Sequence, residues 1–166
     1  MRYEDISKLI SQIEGESTAT IETITEVKLK GGKKNPFQGR VQKRTVNAKV
    51  LLNNGSLESS YANKVKEQMV AEGKDPETFV LKSRAWGERI GNTPFIEHKG
   101  KQYIECIFIS GGDSVYLVDG IETPKDEIEG LEPTDKTPSE TSQGGIEKKI
   151  VLRTFSLDSI QSLTIQ

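Results

Sequence analysis

Among its 166 residues the chain has one cysteine, Cys106, and one histidine, His98. A lone cysteine excludes an internal disulfide framework and any multi-cysteine zinc site. A lone histidine removes most histidine-rich metal sites. Long apolar runs are missing too, and nothing approaches the roughly 18–20 residues that a bilayer-spanning helix needs. The opening MRYEDISKLISQ holds two acids and lacks the apolar core of a secretory signal, so export is not expected. Only 33% of residues are hydrophobic and 29% are charged, a wet composition that implies segments outside any packed core. The length allows one domain, residues 1–166, with one sizeable core. The expectation is a single soluble, cytoplasmic domain without cofactor or membrane partner.

Charge of one sign is also missing locally. Overall, 23 Lys and Arg stand against 25 Asp and Glu, for a net charge of −2. Residues 27–53 nevertheless contain no acid, and they hold Lys28, Lys30, Lys33, Lys34, Arg40, Lys43, Arg44 and Lys49. Residues 121–141 show the reverse bias, with seven acids and two bases. A nearly neutral protein has therefore gathered its positive charge into one stretch, which points to an anionic partner.

Hydrophobic spacing places that stretch. Tyr3, Ile6, Leu9, Ile10 and Ile13 recur at helical intervals, with Gly15 where a C-terminal glycine is expected. Residues 17–29 alternate and are rich in β-branched side chains, which predicts a strand. A second strand is expected over about 40–52, where Val41, Thr45, Ala48, Val50 and Leu52 break strict alternation and suggest a bulge near Asn47. Leu57, Tyr61, Val65 and Met69 mark a helix over 57–71, ended by Gly73. FVLK is a short strand candidate. PFIEH and KQYIECIFI should form a tight hairpin about Lys99-Gly100, SGGD a turn, and SVYLV a strand closed by Asp119-Gly120. Thr123-Pro124 should open one or two helical turns, and 132–145, with no apolar residue, reads as a disordered acidic loop. KKIVLRTF resumes as a strand, and SLDSIQSLTI ends as a short helix or a final strand. The sum is an α+β domain with N-terminal and inserted helices around an antiparallel sheet of five or six strands. An OB-like barrel is one way to close that sheet.

Strand alternation puts Arg40, Gln42 and Arg44 on one face, while Lys43 and Lys49 need not join them. The preceding loop adds Lys30, Lys33 and Lys34, with the ring of Phe37 among them. Farther on, Arg84 and Arg89 flank Trp86 in a polar, glycine-containing segment. Cations that track phosphates, beside aromatics on which bases stack, are what a single-stranded nucleic-acid groove requires. The expected function is thus non-enzymatic binding of single-stranded nucleic acid, DNA before RNA. The expected contacts are Lys30, Lys33, Lys34, Phe37, Arg40, Lys43, Arg44, Arg84, Trp86 and Arg89. Replication proteins and a second copy of the chain are the protein partners this leaves open.

Blander readings stand beside it. Lysines on an edge hairpin discourage sheet-to-sheet aggregation, and a tryptophan can cap a small core. His98 suits a hairpin tip, and Cys106 suits an apolar strand as a small hydrophobe. Glu97-His98-Lys99 has the acid–spacer–lysine order that ends a magnesium nuclease motif, with Glu88 or Asp75 as the upstream acid. An interaction module that inhibits a host defence factor, through the acidic segment or Trp86, is the other alternative.

The combination NPFQGRV, WGERIGNTP, EHKGKQY and VYLVDG, across about residues 35–120, resembles small accessory proteins of tailed bacteriophages. None of these motifs is a catalytic signature. The resemblance implies action in the cytoplasm of an infected bacterium. Phage genomes encode compact OB-type single-strand-binding proteins and small inhibitors of host defence, so it favours both readings together.

Overall fold

The computed structural model describes residues 1–27, 29, 40–80, 87–128, 130 and 150–166. The first helix, α1, spans Tyr3–Ile10. Glu4 and Asp5 lie in its first turn and Lys8 in its last, which complements the helix dipole. It stops well before Gly15, so that glycine (φ +74°) does not cap it but precedes strand β1, Glu16–Glu26. Strand β2, Val41–Asn53, leads to helix α2, Glu58–Ala71. Beyond α2, Gly73 adopts φ +74°. Its N–H donates to the Val70 carbonyl at 3.1 Å and that of Lys74 to Met69 at 2.8 Å. This paired closure satisfies carbonyls that the helix end would leave orphaned.

The remaining strands are β3 (Glu88–Arg89), β4 (Phe95–His98), β5 (Lys101–Ser110), β6 (Asp113–Val118), β7 (Ile121–Thr123), β8 (Val151–Ser156) and β9 (Ile160–Ile165). All nine join one antiparallel sheet. Its main path is β3-β4-β5-β2-β1-β9, with β6 beside β2, β7 beside β6 and β8 beside β5. The α+β class and the two helices are as the sequence leads one to expect, but the sheet holds more strands than five or six. It is not closed into a barrel: β8 pairs with β5 and β9 with β1, and among the described residues no ladder joins β8 to β9. An OB-like arrangement is therefore not confirmed.

Several local expectations shift for physical reasons. Phe79 and Val80 form no strand; Phe79 turns its ring toward Tyr61 of α2, 6.4 Å between centroids, while Leu81 and Lys82 lie outside the described residues. Lys99 (φ +49°) and Gly100 (φ +76°) make the expected two-residue hairpin turn. A second such pair, Asp119 (φ +51°) and Gly120 (φ +82°), adds the unforeseen β7. Thr123 is consumed by that strand, so Pro124 precedes a single 3-10 turn, Lys125–Glu127. The acidic stretch 132–145 lies outside the described residues.

The turn expected at SGGD is instead a kink. β5 and β6 both run antiparallel to β2, β5 against Lys49–Leu51 and β6 against Val41–Val46, so the chain continues in one direction through Gly111-Gly112. Opposite the kink, β2 carries the bulge anticipated near Asn47. Ile21 pairs with Ala48 and Thr23 with Thr45, leaving Val46 and Asn47 against Glu22 alone, and Asn47 takes φ +59°. Gly112 packs directly on this bulge. A Cβ there would lie 1.6 Å from the Val46 carbonyl oxygen and 2.8 Å from the Ala48 nitrogen, so no other residue fits without backbone movement.

The core gathers Ile6 and Ile10 of α1, Tyr61, Val65 and Met69 of α2, and Ala19, Ile21, Val50 and Leu52 of the first two strands. β5 is buried on both faces at its middle, Ile104 through Ile107, which is why its sequence does not alternate. Cys106 belongs to this core. Burying each such aliphatic side chain contributes about 1.5–3 kcal/mol. No described helix is long and apolar enough to cross a membrane.

Candidate functional site

The bulge decides where the cations of β2 go. A two-against-one insertion shifts alternation by one residue, so every side chain before it changes face. Val41, Lys43 and Thr45 consequently share a face with Ala48, Val50 and Leu52, whereas Gln42 and Arg44 take the opposite one.

On that opposite face the register sets Arg44 against Ile24 and Gln42 against Glu26 of β1. Arg40 Nε donates to Glu26 Oε1, which also accepts from Gln42 Nε2 at 3.2 Å. Arg44 Nε lies 3.7 Å from Glu22 Oε1. Both expected phosphate contacts are thus ion-paired to acids of the adjacent strand. Arg89, on β3, is farther removed. Its Nη2 lies 3.1 Å from Glu58 of α2 and 3.4 Å from Glu105, a carboxylate only 1% exposed on β5. Arg40, Lys43, Arg44 and Arg89 are therefore not brought together. Lys30, Lys33, Lys34, Phe37, Arg84 and Trp86 lie outside the described residues.

Lys43 goes elsewhere. It lines a cavity of about 380 Å³ in the cleft that opens where β6 and β5 part company at Gly111-Gly112. The β2 side of this cleft is a cross-strand row. Thr23, Thr45 and Ser114 are directly paired across β1, β2 and β6, and Thr45 Oγ1 sits 3.2 Å from Ser114 Oγ. One step along, Thr25 pairs with Lys43. The opposite wall comes from β5 and β8, with Phe108, Arg153 and Phe155. Cys106 pairs with Arg153 and Phe108 with Val151, so Arg153 and Phe108 are diagonal neighbours on one face. The Arg153 guanidinium stacks 3.9 Å above the Phe108 ring, a cation–π contact that holds its planar fork in place. Ser156 and Ser159 complete the rim, Ser159 Oγ donating to the Ser156 carbonyl at 2.7 Å.

No acidic side chain occurs among the described residues lining this cavity. Its contents are two cations, three aromatic rings and a run of hydroxyls. A second cavity of about 370 Å³ beside α1 is different in kind, with Glu4, Glu97 and Asp158 offsetting Arg2 and Lys101. Glu97 itself faces Glu88 directly across the β3–β4 ladder, and Lys99 lies in the hairpin turn. Among the described residues no group of three or more His, Cys, Asp or Glu is arranged to hold a metal ion.

Arg153, Phe108, Phe155 and Tyr103 were not among the residues singled out from sequence. One signal for Arg153 exists, a cation at a position of VLRTF that alternation would put on the face of Phe155. Nothing local links it to Lys43, 110 residues earlier. No protein-family model matches the chain, and no curated protein or solved structure matches it either.

Proposed function

We propose that this chain is a non-enzymatic, single-stranded nucleic-acid-binding protein, taking DNA before RNA. Its grip is the cleft between β2 and β8 rather than the basic stretch as a whole. The supporting observation is the cavity itself, whose lining includes Lys43 and Arg153 together with Phe108, Phe155 and a run of hydroxyls. Cations hold phosphates, aromatic faces accept any base, and hydroxyls donate to phosphate oxygens or sugars. The resemblance to phage accessory proteins adds the setting, the cytoplasm of an infected bacterium.

Titrating the protein into a fluorescent oligothymidylate and following anisotropy across salt concentrations tests this. Each neutralised phosphate of a single strand contributes a slope of about −0.7 in log K against log salt. Two cavity cations therefore give a slope of about −1.4, whereas a ribbon using all eight cations of residues 27–53 would give about −5.6. Absence of binding at micromolar protein in low salt overturns the proposal.

A further inference from the structure

Beside the cavity, register sorts the side chains of β2, β6 and β7 into two unlike faces. Gln42, Leu117 and Glu122 are directly paired on one of them, next to Glu26 of β1. On the other, Lys43 pairs with Tyr116 and Tyr116 with Thr123, and the next row is Val41, Val118 and Ile121. Glu22, Glu26 and Glu122 all belong to the first face. Alternation through β1, β2, β6 and β7 puts no acid on the second.

Tyr116 stands at the start of this second face. Directly paired side chains have Cβ atoms about 4.5–5.5 Å apart, so the half-buried Tyr116 neighbours Lys43, a residue of the cavity lining. Ser114, two residues before it on the same strand, lines the cavity as well. Farther out, Ile121 on β7 is 70% exposed, an apolar side chain that core packing does not account for. Strands lie about 4.8 Å apart, so the face runs on for about 10 Å from β2 to β7. A cavity of about 380 Å³ is at the small end of ligand pockets, which run roughly 300–1,000 Å³. A polymer seated in it must therefore continue over a neighbouring surface. The face with three carboxylates repels a polyanion, whereas the acid-free one offers a ring, an apolar side chain and the Thr123 hydroxyl.

From this geometry we propose that the single strand continues from the cavity across β6 and β7, with Tyr116 as the platform on which its next base stacks. The proposal rests on the nucleic-acid reading of the cavity, and it adds the path of the polymer outside it.

The test follows the anisotropy of a fluorescein-labelled ten-nucleotide oligothymidylate with wild type, Tyr116→Ala, Tyr116→Phe, Ile121→Glu and Lys43→Met, with a urea midpoint for each variant. Tyr116→Ala should weaken binding at least about fivefold, the lower end of what base–aromatic stacking supplies. Tyr116→Phe should stay within about twofold of wild type, because stacking needs the ring and not the hydroxyl. Ile121→Glu should weaken binding by a factor similar to Tyr116→Ala, because it brings a like charge to the phosphates at close range. Wild-type affinity in a folded Tyr116→Ala overturns the inference, and so does a Tyr116→Phe as weak as Tyr116→Ala. If Tyr116→Ala lowers the urea midpoint, Ile121→Glu decides in its place, since an exposed side chain can be replaced without disturbing the core. A loss in Lys43→Met alone leaves the cavity reading standing without this path. Losses in Tyr116→Ala and Ile121→Glu with none in Lys43→Met support the path and sink the grip in the cavity. If the wild type does not bind, both fall.

Discussion

On one face of β2, Arg40 and Arg44 end on carboxylates of β1. On the other, one residue from Arg44, Lys43 lines a cavity with no acidic described residue in its lining. The sign of the charge is the same and the sequence separation minimal, yet the surroundings differ. The difference comes from pairing. β1 carries Glu22, Ile24 and Glu26 on one face and Thr23 and Thr25 on the other. Whatever side chain of β2 falls opposite inherits acids or hydroxyls accordingly. Arg40, Lys43 and Arg44, neighbours in sequence, are thus not one patch in space. Register distributes them between a face where the arginines pair with acids and a face that lines the cavity.

The largest effect is expected from attacking the device that fixes this register. Gly112→Ala puts a Cβ into the Val46 carbonyl, a clash with the β2 backbone that no rotamer relieves. Overpacking of this severity costs about 3 kcal/mol. Urea unfolding should show a correspondingly lower midpoint, and the cavity ligand should be lost along with it. An unchanged midpoint would mean that the bulge and the kink do not lock one another, and the division of cations between faces would need another cause.

Next in size is Lys43→Ala, read as oligonucleotide affinity. A hydrogen bond to a charged group is worth about 1.5–3 kcal/mol, so anisotropy should report roughly 10- to 100-fold weaker binding. Lys43→Met should match it, because methionine keeps most of the apolar stem and removes only the ammonium. If Met restores wild-type affinity, Lys43 contributes packing rather than charge, and the contrast between the two faces loses its functional meaning.

Much of the scaffold for this contrast was legible in the sequence. The bulge showed as broken alternation around Asn47, and the sharing of a face by Arg40, Gln42 and Arg44 followed from strand geometry. Even the acids were visible, since Glu22 and Glu26 alternate on one side of the preceding strand. What the sequence did not show was that these two strands would pair in the register that seats Arg40 and Arg44 on those acids. The far wall was hidden for a different reason. Phe108 sits in a run that is apolar on both faces, and Arg153 becomes its neighbour only because β8 pairs with β5 across a long separation. The kink at SGGD reads in sequence as a turn because glycine pairs mark turns. Here the glycines serve close approach of two backbones instead.

The smallest effect sharpens the comparison from its neutral side. Arg40→Ala and Arg44→Ala remove cations whose side chains are 68% and 45% exposed and whose partners, Glu26 and Glu22, are 54% and 33% exposed. Exposed pairs of this kind contribute about 0.2–1 kcal/mol to stability, so the unfolding midpoint should move little. Binding should move little as well. The arginines lie on the face away from the cavity, and at physiological ionic strength charges are screened over about 8 Å. Oligonucleotide affinity of the double variant should therefore stay within about twofold of wild type, and its salt slope should not change, because no phosphate contact is removed. A tenfold loss, or a salt slope reduced by about 0.7 per arginine, would show that both leave their carboxylates to meet phosphate. The ion pairs on β1 would then be a resting arrangement that the ligand displaces, and the two faces of β2 would act together.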